Sequence, residues 1–254
     1  MIIENTALLF DLDGTLIDSS GKVPLDVQAA FARLGTLISI EEARASRNWE
    51  ETAARYGYTK EMFRQSFNEA REPWTESLKK GNAKIYDDTI PTLDEITGLG
   101  YRNLALVTRS DRAETDVKID HFGLRRYFSY IGVTPPRKSE FPTKEREARD
   151  AINYFLRNGF LSRAIIIGDS EPDDIGTANI LKASPPGYDG GGCGESCKPI
   201  GIKSVYVNRN GKSLETQTAD YSIQNLRQLM EILEHERRSD WTTNKRNIEE
   251  TFSR

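Results

Sequence analysis

Leu8-Leu9-Phe10-Asp11-Leu12-Asp13-Gly14-Thr15-Leu16 is the stretch of this 254-residue chain that decides its fold. An apolar run ends in two carboxylates two residues apart, and Gly and Thr follow at once. Ala7 to Phe10 reads as a buried strand. In an open parallel sheet, the carboxyl ends of the strands are where ligands and chemistry collect. Two acids at such an end are costly unless something neutralises them. Taken alone, they suit an Asp-rich turn equally well, so the rest of the chain has to decide.

Four further apolar runs have strand character: Leu104–Val107, Tyr130–Val133, Ala164–Ile167 and Ser204–Val207. Between them, Asp111–Phe122, Lys144–Leu156 and Asp174–Lys182 carry apolar residues at helical spacing. Asn225–His235 reads as a closing helix, with Leu226, Leu229, Met230 and Leu233 on one face. Alternation of this kind predicts an α/β fold, a Rossmann-like three-layer parallel sheet core. About ninety residues separate the first two strands, too many for one crossover. Asp26–Leu34, Glu41–Tyr56 and Lys60–Lys80 within that gap have helical periodicity. A helical cap over 19–84 is therefore expected, inserted after the first strand. It splits the core into 1–18 and 85–235 and is placed to close over whatever the acids bind. Residues 184–199, with Pro-Pro-Gly, Gly-Gly-Gly, Cys193 and Cys197, read as an irregular surface loop. Residues 236–254 read as a charged tail.

Composition narrows the function classes. Hydrophobic residues make up 37% and charged residues 29%, and the net charge is −4. That charge gives no basic footprint for nucleic acid. No apolar run approaches the roughly 20 residues needed to span a bilayer. Two cysteines make no disulfide framework, and a cytoplasmic location is the expectation. The oligomeric state is not legible.

Other strand ends carry chemistry of their own. Leu104–Val107 leads into Thr108-Arg109-Ser110. Ala164–Ile167 leads into Gly168-Asp169-Ser170-Glu171-Pro172-Asp173-Asp174. Lysines stand before a helix at Lys138 and Lys144. One parallel sheet would gather these beside Asp11 and Asp13. Each alone has a plainer reading. Thr108 caps a strand, the lysines are solvated, and Asp173 or Asp174 caps a helix. Lys144 is preferred over Lys138, because a cation near a helix start is otherwise disfavoured. Arg109 either reaches toward substrate or covers the surface. His121 and His235 stand at no strand end. Arg44, Arg47 and Arg55 read as solvated, and Trp49 and Tyr56 as packed within the cap.

This order of parts resembles the haloacid dehalogenase superfamily, over most of residues 5–235. The carriers are Asp11-Leu12-Asp13-Gly14-Thr15-Leu16, Thr108, and Gly168-Asp169-Ser170 with Asp174 or Asp173. The family commonly has Lys-Pro before the helix, where this chain has Lys138-Ser139 and Lys144-Glu145. The insertion resembles the family's small helical (C1-type) cap. The resemblance implies a phosphatase that uses Mg²⁺ and hydrolyses a small phosphorylated metabolite, a phosphate monoester, through an aspartyl-phosphate. It makes Asp11 the nucleophile and Asp13 the general acid and then base. Thr108 would bind a phosphoryl oxygen, and a lysine, Lys144 or Lys138, would balance the charge; Arg109 stands where the family often has a small or amide residue. Asp11, the Asp13 backbone carbonyl, Asp169 and Asp174 (alternatively Asp173) would hold the metal. A phosphomutase of the same superfamily, or a non-catalytic protein binding a phosphate ligand, are the other readings. Dehalogenation is disfavoured, since it needs no acid at the place of Asp13.

Overall fold

A computed structural model describes residues 5–46, 48–133, 144–159, 161–186, 200–209 and 218–238. Lys138, Arg47, Cys193, Cys197 and the tail from 239 onward lie outside the described residues. The chain divides into two compact units, Ile17–Ile85 and the remainder.

The core begins with β1 (Thr6–Phe10), all five residues buried. The chain then leaves it and builds the inserted unit from β2 (Ile17–Asp18), α1 (Lys22–Arg33), α2 (Ile40–Ala45), α3 (Trp49–Arg55), α4 (Lys60–Ala70), α5 (Trp74–Lys79) and β3 (Lys84–Ile85). β2 and β3 pair antiparallel where the chain enters and leaves this unit. Three differences from the sequence expectation have local causes. α1 starts four residues before Asp26, because Pro24 falls in its first turn, where a missing N–H costs nothing. The expected helix over 41–56 is two helices, since Asn48 caps the second by accepting the Glu51 amide. The expected helix over 60–80 breaks at Pro73, which pushes the backbone out of the α region. Val27, Ala30, Phe31, Ala53 and Phe63 form this unit's own apolar centre.

Back in the core follow α6 (Thr89–Gly98), β4 (Asn103–Thr108), α7 (Arg112–His121), β5 (Tyr130–Val133), α8 (Glu145–Asn158), β6 (Arg163–Gly168), α9 (Gly176–Ala183), β7 (Gly201–Val207) and β8 (Tyr221–Ile223). A helix over 229–238 closes the described chain. Six strands make one parallel sheet in the order β5-β4-β1-β6-β7-β8. β8 is a short strand that carries too few apolar residues to signal itself in sequence.

Side chains alternate across the sheet. Ala7, Leu9, Ala105, Val107, Ala164 and Ile166 pack with Ala148, Ile152, Phe155 and Leu181 of α8 and α9. Leu8, Phe10, Leu104, Leu106, Ile165 and Ile167 are buried on the opposite face. Burial on both faces is why these strands read as continuous apolar runs. β1 lies between β4 and β6. Whatever follows Thr108 and Gly168 therefore flanks Asp11.

Candidate active site

Asp11 directly follows β1, and its amide still donates to the Ile167 carbonyl at 2.9 Å. The ladder thus fixes the backbone of Asp11 at the strand end. Asp11 is buried, as are Thr108, Lys144 and Asp174. Lys144 caps α8 without using its side chain there. Its Nζ lies 2.6 Å from Asp11 Oδ1 and 2.6 Å from Asp174 Oδ1.

Asp169 directly follows β6 (Arg163–Gly168), and Asp174 lies in the π-helical turn over Glu171–Ile175 that comes next. The expected helix over 174–182 therefore starts later, as α9, and neither Asp173 nor Asp174 caps it. Ser170 opens the turn by accepting the Asp173 amide, while its own amide donates to Asp174 Oδ2 at 3.0 Å. Asp11, Asp169 and Asp174 each offer an oxygen within 4.8 Å of the others. Asp173 points elsewhere, with both of its oxygens accepting from Arg109 Nη1 at 2.9 and 2.7 Å. That pairing ties the end of β4 to the end of β6, on either side of β1.

Two glycines make the cluster possible. A Cβ on Gly14, at φ +85°, would lie 2.2 Å from Asp169 Oδ2, and one on Gly168 would lie 2.0 Å from Asp174 Oδ2. Thr15 Oγ1 donates to Asp169 Oδ1 at 3.3 Å.

The electrostatics are those of a site short of positive charge. Burial pushes Asp11 well above the usual carboxylate range; Lys144 opposes this and Asp174 and Asp169 add to it. Burial and then the charge of Asp174 push Asp169 up to about 6. Burial raises Asp174 too, against the pull of Lys144. Burial would depress Lys144, but Asp11 and Asp174 outweigh it and raise its ammonium further. Three carboxylates against one ammonium leave a formal −3 + 1 = −2. One divalent cation cancels that charge. All-oxygen donors are the set that Mg²⁺ prefers. The residues present therefore fit such an ion, with Asp11, Asp169 and Asp174 as side-chain ligands.

Asp13 is not in this group of carboxylates. Its side chain lies on the β4 side, 3.0 and 2.7 Å from Lys118 Nζ. Ser110 Oγ donates to Asp13 Oδ2 at 2.8 Å. Sequence reasoning missed Lys118. Its signal was a lysine in phase with Thr115 and Ile119 on the buried face of α7. It also missed Arg209, which donates to the Thr15 carbonyl at 3.1 and 2.6 Å and to both Asp88 oxygens at 3.0 Å. Arg209 stacks 3.6 Å from the centre of the Tyr86 ring. It thus ties the core residues at which the chain leaves for the inserted unit to those at which it returns. His121 and His235 take no part, each lying against an aromatic ring, Phe122 and Tyr221 respectively. In the inserted unit, Arg44 is exposed, Arg55 pairs with Glu51, and Trp49 stacks on Phe67.

Residues 8–182 match the model of the haloacid dehalogenase-like hydrolase family. The chain belongs to that family. It is 27% identical over 185 residues to PpaX of Clostridium perfringens (strain 13 / Type A), a candidate pyrophosphatase by name; the match covers 68% of this chain and 79% of that protein. Its fold is similar to that of a candidate phosphatase of Clostridium difficile, with a TM-score of 0.68 at 19% identity over 90% of this chain and 98% of that one. It is also similar to the magnesium-bound HAD-hydrolase YfnB of Bacillus subtilis, with a TM-score of 0.55 at 17% identity over 91% and 99%. Among the described residues, no helix is long and apolar enough to cross a membrane.

Proposed function

We propose that this protein is a Mg²⁺-dependent phosphatase that hydrolyses a small phosphorylated metabolite through an aspartyl-phosphate on Asp11. The observation that carries this reading is the buried triad of Asp11, Asp169 and Asp174 with Lys144 Nζ 2.6 Å from two of its members. Family membership and the phosphatase names among its relatives support it.

In this reading Asp11 attacks phosphorus, and the bond to the ester oxygen breaks. Asp13 gives its proton to that departing oxygen. It then takes a proton from the water that cleaves the aspartyl-phosphate, so Asp11 is regenerated and inorganic phosphate leaves. Thr108 and Lys144 hold the phosphoryl oxygens. When bound, Mg²⁺ supplies charge neutralisation for the phosphoryl group, held by Asp11, Asp169, Asp174 and the Asp13 carbonyl. The cap role falls in this reading to the inserted unit, Ile17–Ile85.

Hydrolysis of an aryl phosphate with and without Mg²⁺ tests the reading, with pyrophosphate and alkyl phosphates in the same panel. The expected result is Mg²⁺-dependent turnover in the wild type and none in Asp11→Asn. Wild-type turnover in that variant would overturn the covalent mechanism.

A further inference from the structure

We infer that Lys118 is a positioning residue that sets the side chain of Asp13 for its acid and base steps. The inference rests on the reading of Asp13 given above and extends it to a residue on α7 that no sequence motif marks.

Lys118 is 1% exposed. Burying an ammonium is expensive unless it is paired and hydrogen-bonded. Its Nζ meets both oxygens of Asp13, at 3.0 and 2.7 Å, and Ser110 Oγ at 2.9 Å. Ser110 in turn donates to Asp13 Oδ2, and its backbone amide donates to Thr108 Oγ1 at 3.2 Å. Asp13, Ser110 and Thr108 therefore share one network, fed from inside the fold by Lys118. The elements involved are rigid: Thr108 ends a central strand, and Lys118 sits on a helix capped by Asp111, which accepts the Glu114 amide.

The need for such a tether follows from where Asp13 lies. It is beyond the end of β1, beside Gly14 at φ +85°. Its side chain retains 29% exposure, against 8% for that of Asp11. An untethered Asp at such a place divides its time among three staggered rotamers. A group that must meet first an ester oxygen and then a water has to be held in one of them. Two-point contact from Lys118, reinforced by Ser110, selects one rotamer.

The test separates positioning from folding. Esters of good leaving groups need little acid assistance in the phosphorylation step, whereas alkyl phosphates need it fully. For Lys118→Met, kcat/KM on an alkyl phosphate should fall at least thirtyfold, while kcat/KM on 4-nitrophenyl phosphate falls less than threefold. A nitrophenolate burst should appear as the aspartyl-phosphate accumulates. Lys118→Arg should recover part of the alkyl-phosphate rate. Equal losses on both substrates, with no burst, would overturn the inference, because a general loss of folded protein lowers both alike. A double-mutant cycle of Lys118→Met with Asp13→Asn, read by denaturant unfolding, needs no turnover. At least tenfold coupling in the unfolding constant is expected, and additivity would overturn the pairing. Coupling in a wild type that hydrolyses no phosphate ester would instead count against the proposed function.

Discussion

Replacing Lys144 by Met is the most informative single change, because it keeps the side chain's length and removes only its charge. The ammonium lies 2.6 Å from an oxygen of Asp11 and 2.6 Å from one of Asp174, and its side chain is 4% exposed. Those carboxylates are 8% and 2% exposed, so water does little to replace it. Removing one partner of a buried ion pair costs about 3–5 kcal/mol. The cluster then stands at a formal −3 instead of −2. At roughly 2–4 °C per kcal/mol for a chain approaching this size, the metal-free melting temperature should fall by about 6–20 °C. Two signatures distinguish this from a simple packing defect. Stability should recover as pH falls, because the carboxylates are raised: their unfavourable charge is absent below the unfolded value near 3.8 and returns as pH rises through the folded values. Mg²⁺ should also protect the variant more than the wild type, since it meets one more uncompensated charge. Turnover should still drop by about 10²–10³, the usual cost of losing one donor to developing phosphoryl charge. The assays are thermal unfolding with EDTA or Mg²⁺ at pH 5 and pH 8, and kcat on an aryl phosphate. Unchanged metal-free stability together with turnover within tenfold of wild type would refute the reasoning.

The remaining predictions concern the acidic triad and the Mg²⁺ proposed for it. Burial holds Asp169 at about 6, so Mg²⁺ must displace its proton in acid; calorimetric affinity should weaken by about tenfold per pH unit below 6, with proton release at pH 5. A binding constant flat from pH 5 to 8 would contradict this. In the metal-free protein the sign runs the other way: the stability that protonated Asp169 contributes is complete below pH 3.8 and lost as pH rises through about 6. Gly14→Ala places a Cβ 2.2 Å from Asp169 Oδ2 at a φ of +85°. The expected cost is about 1–3 kcal/mol of backbone strain, with a shifted Asp169. A direct Mg²⁺ titration should show affinity weakened at least tenfold, and wild-type affinity would show that the close approach is unimportant.

The sequence was most legible where physics is local. Ala7–Phe10 had to be buried because every residue in it is apolar, and Asp11 had to stand at its end. Alternation of apolar runs with helical stretches was enough for a parallel α/β core. Proline and cap residues explain why the inserted helices break where they do, yet their effect becomes plain only beside the backbone. Glu41–Tyr56 reads as one helix until Asn48 is seen accepting an amide.

What sequence spacing could not decide is which of several equivalent side chains turns inward. Asp173 and Asp174 are neighbours of the same type; the π-turn after β6 sends one to Lys144 and the other to Arg109. Lys118 and Arg209 lie 105 and 194 residues from the groups they hold, and neither belongs to a motif. Periodicity and local motifs determined the strand, the paired acids and the sheet. Only the tertiary structure decided which cations answer those acids, because burial and charge pairing depend on distances in space that separation along the chain does not encode.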